Sequence, residues 1–149
     1  MAIKFLLENF EDQDRAQKCF EFCLKEAESF EVGTTQSGLG NGSAKQDIKS
    51  WLELAKEMND KFETTGIEPL LKMLPEALEA QGWLKVCTAL SFYWLLRSKK
   101  IQGDTFDYVM RETIRCGGDT DTNACIVGGM IGAVIGYKKI NGTHIGKVF

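Results

Sequence analysis

Proline is scarce in this chain, with 2 in 149 residues, so there is no Pro-rich linker or disordered arm. Glycine, at 15, is plentiful but falls without a triplet period, which excludes a collagen-like rod. There is one histidine, His144, close to the C-terminus and beyond the last helical pattern, so a Ser-His-Asp hydrolase has little to stand on. Basic residues are not in excess. Eighteen Lys+Arg against 21 Asp+Glu leave a net charge of −3, without the basic face that a nucleic-acid binder needs. No apolar run is long enough for a membrane span of about 20 residues; the most apolar stretch, Ala124 to Tyr137, has 14 and is Gly-rich. The N-terminus carries Lys4, Glu8, Glu11 and Asp12 where a secretory signal would be uninterrupted and apolar. The five cysteines are odd in number and scattered, which reads as free thiols in a reducing compartment rather than a disulfide framework. The expectation is a cytoplasmic-type protein with neither nucleic acid nor membrane as partner.

What is present is helical periodicity. Ile3 to Phe10 reads as a short helix. From Ala16 the apolar residues Cys19, Phe20, Cys23, Leu24, Ala27 and Phe30 recur at three and four, with Asp12 or Asp14 placed to cap the start. A Gly/Ser/Thr/Asn-rich loop spans 32–44, and a second amphipathic helix, about Gln46 to Met58, carries Ile48, Trp51, Leu52, Ala55 and Met58 on one face. Glu68 to Leu78 predicts one or two helical turns, with Pro75 suited to open the second. Gly82 to Arg97 is apolar on nearly every side, including Trp83, Phe92, Tyr93 and Trp94, and a helix of that kind is a buried one. Asp104 or Thr105 caps a helix with Phe106, Val109, Met110 and Ile114. The last helix starts near Asp119 or Thr120 and runs to about Lys138. Its Gly128, Gly132 and Gly136 each cost about 1 kcal/mol of propensity relative to Ala, which predicts the close approach of another helix backbone. No alternating strand pattern and no internal repeat are present. The fold class is all-α, a single helical domain over 1–149 with helix 82–97 at its centre.

One segment carries chemistry. In Cys116-Gly-Gly-Asp-Thr-Asp-Thr-Asn-Ala124, two carboxylates two residues apart are each followed by a hydroxyl, behind a Gly-Gly pair and ahead of a buried helix. Hard cations such as Mg²⁺ take such oxygen ligands. In a continuous helix Asp119 and Asp121 would diverge by about 200°; where the backbone turns before the helix they can share one point. Two bare carboxylates about 4 Å apart repel by roughly 4 kcal/mol at an effective dielectric of 20, so convergence implies a cation or a shared proton. The other reading is structural: Asp119 or Thr120 as an N-cap, Asp121 as a first-turn acid favoured by the helix dipole, and Gly117-Gly118 as a tight turn at positive φ.

The run Cys-Gly-Gly-Asp-Thr-Asp-Thr-Asn-Ala-Cys-Ile-Val-Gly-Gly-Met-Ile-Gly-Ala, residues 116–133, resembles the C-terminal signature of the ADP-ribosylglycohydrolase family. The likeness extends through Gly82 to Leu96, the capped helix 104–115 and the helix around Trp51-Leu52. The resemblance implies a compact orthogonal helical bundle with a binuclear Mg²⁺ centre (Mn²⁺ in some members) at the foot of an ADP-ribose cleft. The reaction it implies is hydrolysis of an N- or O-glycosidic bond between ADP-ribose and a protein side chain or small-molecule conjugate. Carried onto this sequence, Asp121 would bridge the metals, with Asp119 and the Thr122 hydroxyl serving one of them. Gly117 and Gly118 would let substrate approach the backbone, and Thr120 and Asn123 would stand behind the ligands.

The sequence also departs from the family. The N-terminal Thr-Asp-Asp-type run that completes the metal site has no counterpart, since no Asp-Asp pair occurs, and the catalytic acid belongs to that same absent part. The likeness therefore covers about the C-terminal half of a family member. An isolated Asp119/Asp121/Thr122 half-site should hold Mg²⁺ poorly. A partner bearing the N-terminal half, a homodimer, or a non-catalytic ADP-ribose-binding or crystallin-like structural role are the alternatives this leaves.

Other features have plain readings. Gly33 to Gly42 lacks the Gly-Lys-Ser/Thr ending of a phosphate loop and reads as a connector. Cys19-x-x-x-Cys23 has helical spacing without a second pair, which favours buried thiols over zinc ligands. Trp83, Phe92, Tyr93 and Trp94 fit core packing better than a purine platform. Lys99-Lys100 and Lys138-Lys139 fit solvated helix ends.

Overall fold

The computed structural model describes residues 1–29, 43–61, 68–73 and 83–142, and among these residues it forms seven α-helices and one 3₁₀ turn. In chain order they are α1 (Ala2–Glu8), α2 (Arg15–Ser29), α3 (Ser43–Lys61), α4 (Glu68–Met73), α5 (Leu84–Arg97), α6 (Thr105–Arg115) and α7 (Thr120–Ile135), followed by the turn Tyr137–Lys139. No strand occurs among the described residues, so the all-α reading stands. No helix among them is long and apolar enough to cross a membrane. The loop 32–44 and the stretches holding Phe30, Pro75 and His144 lie wholly or almost wholly outside the described residues.

The elements form where the patterns place them. The Asp12 carboxylate accepts the Asp14 N–H at 2.8 Å, which holds the turn into α2. Ala16, Cys19, Phe20 and Ala27 of α2 are buried, the stripe its spacing predicts. In α3 the stripe is Leu52, Ala55 and Met58; Ile48, expected on the same face, is 38% exposed. Asp104 caps α6, its carboxylate accepting the Asp107 N–H at 3.0 Å. All five cysteines are free thiols, as the sequence suggests.

Helix α5 is the hub, packed against α2, α3 and α7. Tyr93 and Trp94 on it are fully buried, with ring centroids 4.9 Å apart in an edge-on pair, and Phe92 meets Phe20 edge-on at 6.1 Å. Burying one such side chain contributes about 1.5–3 kcal/mol, so this cluster supplies a large part of the folding free energy. The first turn of α5 departs from the buried-helix reading: Trp83 and Leu84 are 44% and 65% exposed. They stand at the end of the helix, beyond the layer that its neighbours cover.

Two features of α7 also differ from expectation. It ends at Ile135 rather than near Lys138, because Gly136 takes φ +83 and breaks the helical path. The glycine stripe is met by side chains and not by a helix backbone. A Cβ at Gly128 would lie 3.1 Å from Met110 Sδ, and one at Gly132 only 3.8 Å from Ile140 Cδ1. Ile3 meets Gly129, off this stripe, and seven residues on in each segment Phe10 meets Gly136, at the stripe's end; α1 therefore runs parallel to α7.

Candidate functional site

The turn from α6 into α7 is built by Gly117 at φ +77 and Gly118 at φ +66. Side-chain-bearing L-residues pay roughly 1–2 kcal/mol in that region, so glycine is the residue that closes this turn cheaply. Cys116, fully buried, anchors the turn from one side, and burial pushes its thiol up to about 11. From the other side, the Thr120 N–H donates to the Gly118 carbonyl at 3.0 Å and the Asn123 N–H to the Asp119 carbonyl at 3.0 Å.

Asp119 is the N-cap residue of α7 by backbone position, with φ −80 and ψ 71, but its carboxylate makes no cap hydrogen bond. It therefore lies outside the helix while Asp121 lies in the first turn. That is the geometry in which the two acids are not forced 200° apart. Both sit at the positive end of a 16-residue helix, where negative charge is favoured. Asp121 and Thr122 are exposed, and Thr120 is half-buried. Asn123, one turn beyond Asp119, is 4% exposed.

The N-terminal half of α5 runs beside this turn. Burial pushes the Cys87 thiol up, and the nearby Asp119 carboxylate adds in the same direction. Between α5 and α7 a groove of about 260 Å³ opens, with Cys87, Thr88, Ser91 and Phe92 on one side and Ile126 and Met130 on the other, closed at its far end by Met1 and Ile3. Ser91 is occupied locally, its hydroxyl donating to the Cys87 carbonyl at 2.7 Å. Sequence reasoning missed this groove. The signal was there: Cys87, Thr88 and Ser91 form a small polar stripe on an otherwise apolar helix.

The donor set suits a hard divalent cation in kind, two carboxylates and a hydroxyl. In number it falls short. Among the described residues no three His, Cys, Asp or Glu side chains come together as a metal cluster, whereas Mg²⁺ demands near-octahedral coordination. Of the seven sequence-predicted residues, Gly117, Gly118, Asp119 and Thr120 form one turn and Asp121, Thr122 and Asn123 the helical turn that follows.

A family model described as ADP-ribosylglycohydrolase matches residues 7–148, nearly the whole chain. No curated protein and no solved structure matches it. The matched span takes in the Gly-Gly turn, both acids and the α5–α7 pair. With an all-helical fold of seven helices and that motif at the head of α7, the chain belongs to the ADP-ribosylglycohydrolase family.

Proposed function

We propose that this chain contributes one wall of a divalent-metal site in an ADP-ribosyl hydrolase. Its substrate would be ADP-ribose joined by a glycosidic bond to a protein side chain or small-molecule conjugate. The observation that carries the reading is the Asp119 carboxylate, which occupies the N-cap position of α7 without capping it. A capping role would leave that oxygen on the Asp121 or Thr122 N–H.

In this reading Asp119, Asp121 and the Thr122 hydroxyl would hold Mg²⁺ or Mn²⁺, Asp121 being the carboxylate that the family resemblance assigns to both ions. When bound, such ions supply charge stabilisation and a polarised water. Gly117 and Gly118, lacking Cβ atoms, leave the backbone of the turn open to a bound ribose. Asn123, one turn along α7 from Asp119, would stand behind the ligands. The catalytic acid of this reading stands outside the turn, since no third carboxylate joins Asp119 and Asp121 among the described residues.

The small donor number favours a second reading, a non-catalytic ADP-ribose-binding or structural relative. Calorimetric titration with ADP-ribose, in Mg²⁺ and again in EDTA, separates the two. Metal-dependent binding that Asp121→Asn abolishes supports the metal site, and release of free ADP-ribose from ADP-ribosylated arginine or serine peptides then supports the hydrolase. Metal-indifferent binding supports the non-catalytic relative. Absence of binding in both buffers removes the ADP-ribose site from this chain.

A further inference from the structure

At the end of α7 opposite the two acids, a cavity of about 800 Å³ lies where four helices begin or end. Its walls come from the start of α2, the residues after α5, the start of α6, and the end of α7 with the 3₁₀ turn beyond it. Arg15, Lys99 and Lys139 line it, and among the described residues no Asp or Glu does. Ile101, Val134 and Ile135 give it an apolar side. At Gly103, with φ +82, the wall is bare backbone, and a Cβ there would meet no other part of the chain within 4 Å. Val134 is 15 residues along from Asp119, about 22 Å at 1.5 Å per residue. The cavity is therefore separate from the turn that carries the acids.

We propose that this cavity binds a small organic phosphate, its phosphate group facing Lys99 and Lys139 and its apolar body lying on Ile101, Val134 and Ile135. Charge selects the ligand. The chain as a whole carries −3, so a wall that gathers three cations is a local departure. A cleft lined by one sign of charge concentrates the opposite ion. Arg15 keeps its charge, because the Val134 and Asp12 carbonyls that hold it are neutral. Lys139 makes no ion pair with a described residue. Lys99 is 2.6 Å from the Asp14 carboxylate, but that pair is exposed and contributes little, so a phosphate can take its place. The other flanking acids are engaged elsewhere, Asp12 with Lys18 at 2.6 Å and Asp104 with the Asp107 N–H at 3.0 Å. Size argues for an organic body on the phosphate. Sites for small organic ligands run to about 300–1,000 Å³ and combine apolar walls with a few placed polar groups, whereas inorganic phosphate would leave the aliphatic side uncovered. The proposal does not draw on the metal reading, and its test is run without metal.

Calorimetric titration of the full chain in EDTA, with phenyl phosphate, inorganic phosphate and phenol as probes, tests this. Phenyl phosphate is expected to bind with a dissociation constant below about 1 mM, and about tenfold or more tighter than either fragment. Lys139→Glu and, separately, Lys99→Ala should weaken it about fivefold or more, with the melting temperatures of the free proteins unchanged. Lys138→Glu, also exposed but outside the cavity wall, alters net charge as Lys139→Glu does and should leave the affinity within about twofold. Asp121→Asn should bind as the wild type does. Absence of phenyl phosphate binding overturns the proposal. Equal losses in Lys138→Glu and Lys139→Glu overturn it too, because net charge alone would then set the affinity. Inorganic phosphate bound as tightly as phenyl phosphate overturns the organic ligand, and phenol bound as tightly overturns the role of the cations. Loss of binding in Asp121→Asn overturns this site by moving the ligand to the other end of α7.

Discussion

Arg15 closes the C-terminal end of α7 by donating from Nε to the Val134 carbonyl at 3.0 Å, with a second donation to the same oxygen from Nη2. Its guanidinium lies over the Phe10 ring, 4.9 Å from the centroid, and Nη1 reaches the Asp12 carbonyl at 2.8 Å. One side chain thus ties the start of α2 to the far end of the helix whose head carries the candidate acids. A carbonyl at a helix C-terminus has no intrahelical donor, and a cation there also opposes the macrodipole.

Arg15→Ala should therefore destabilise the protein by about 1.5–3 kcal/mol, the range for a hydrogen bond to a charged group. Arg15→Lys should recover less than half of that, because an ammonium cannot present the planar fork that serves two carbonyls at once. Urea unfolding followed by circular dichroism reads both values. Loss of less than about 0.5 kcal/mol in Arg15→Ala would mean that the cap is energetically idle.

Gly136 sits at φ +83, where a Cβ would come within 2.6 Å of Phe10 Cζ. Gly136→Ala combines backbone strain with a clash against a ring that Arg15 holds in place, and a cost of about 2 kcal/mol or more is expected. Adding Phe10→Ala should relieve the clash and leave the strain, so the double variant is more stable than the sum of the singles implies. Strictly additive effects would show that the ring swings aside without cost.

Gly132→Ala is expected to go the other way. The nearest atom to its added methyl is 3.8 Å away, an ordinary contact, and its φ is helical. Replacing a mid-helix glycine should then stabilise by about 0.5–1 kcal/mol. Thermal unfolding of the single variant, showing a rise of a few degrees, would settle whether this glycine is needed for packing.

Much of the fold was legible because its periods are regular. The three-and-four stripe of α2 buried Ala16, Cys19 and Phe20, and the all-round apolarity of α5 announced its central place. The chemistry-bearing turn was legible too, since Gly117 and Gly118 adopt the positive φ that a Gly-Gly pair ahead of a capped helix suggests. Three things were not legible. Trp83 and Leu84 belong by composition to the buried helix, and only the layout of the neighbouring helices exposes them. Gly136 ends α7, though nothing local separates it from Gly128 and Gly132 at the same spacing; the distinguishing partner, Phe10, is distant in sequence. Which face of α7 stays open is likewise a tertiary fact, since a helix apolar on every side has no sequence signal for the side its neighbours leave uncovered.

Stability should fall in alkali through the buried thiols. Cys116 is fully buried and its thiol is pushed up from an ordinary value near 9 to about 11. A raised thiol value means that the folded state keeps the proton while the unfolded chain loses it, so stability is intact below pH 9 and declines between 9 and 11. The slope from this one group is at most about 1.4 kcal/mol per pH unit. Burial moves Cys87 the same way. Cys116→Ala should thus flatten the pH dependence over that window without removing it, measured as urea midpoints at half-unit steps. An unchanged slope would place the alkaline loss elsewhere.

The two acids can be told apart from helix caps by stability alone. An Asp whose carboxylate caps a helix costs about 1 kcal/mol when replaced by Ala. The Asp119 carboxylate makes no cap bond, so that loss is not expected. In EDTA, Asp119→Ala gives up a favourable dipole interaction of about 0.3–1 kcal/mol but also relieves repulsion from the neighbouring Asp121 carboxylate. The two oppose, and the net change should fall short of the loss of about 1 kcal/mol that a cap would show. In Mg²⁺ or Mn²⁺ the wild-type protein should gain stability by mass action, about 2.7 kcal/mol at one hundred times the dissociation constant, and Asp119→Ala and Asp121→Asn should lose that gain. Thermal melts of the three proteins across a Mn²⁺ titration give the answer. A full-sized loss already present in EDTA would make Asp119 a structural cap, and a metal-induced gain that survives in Asp121→Asn would move the cation away from this turn.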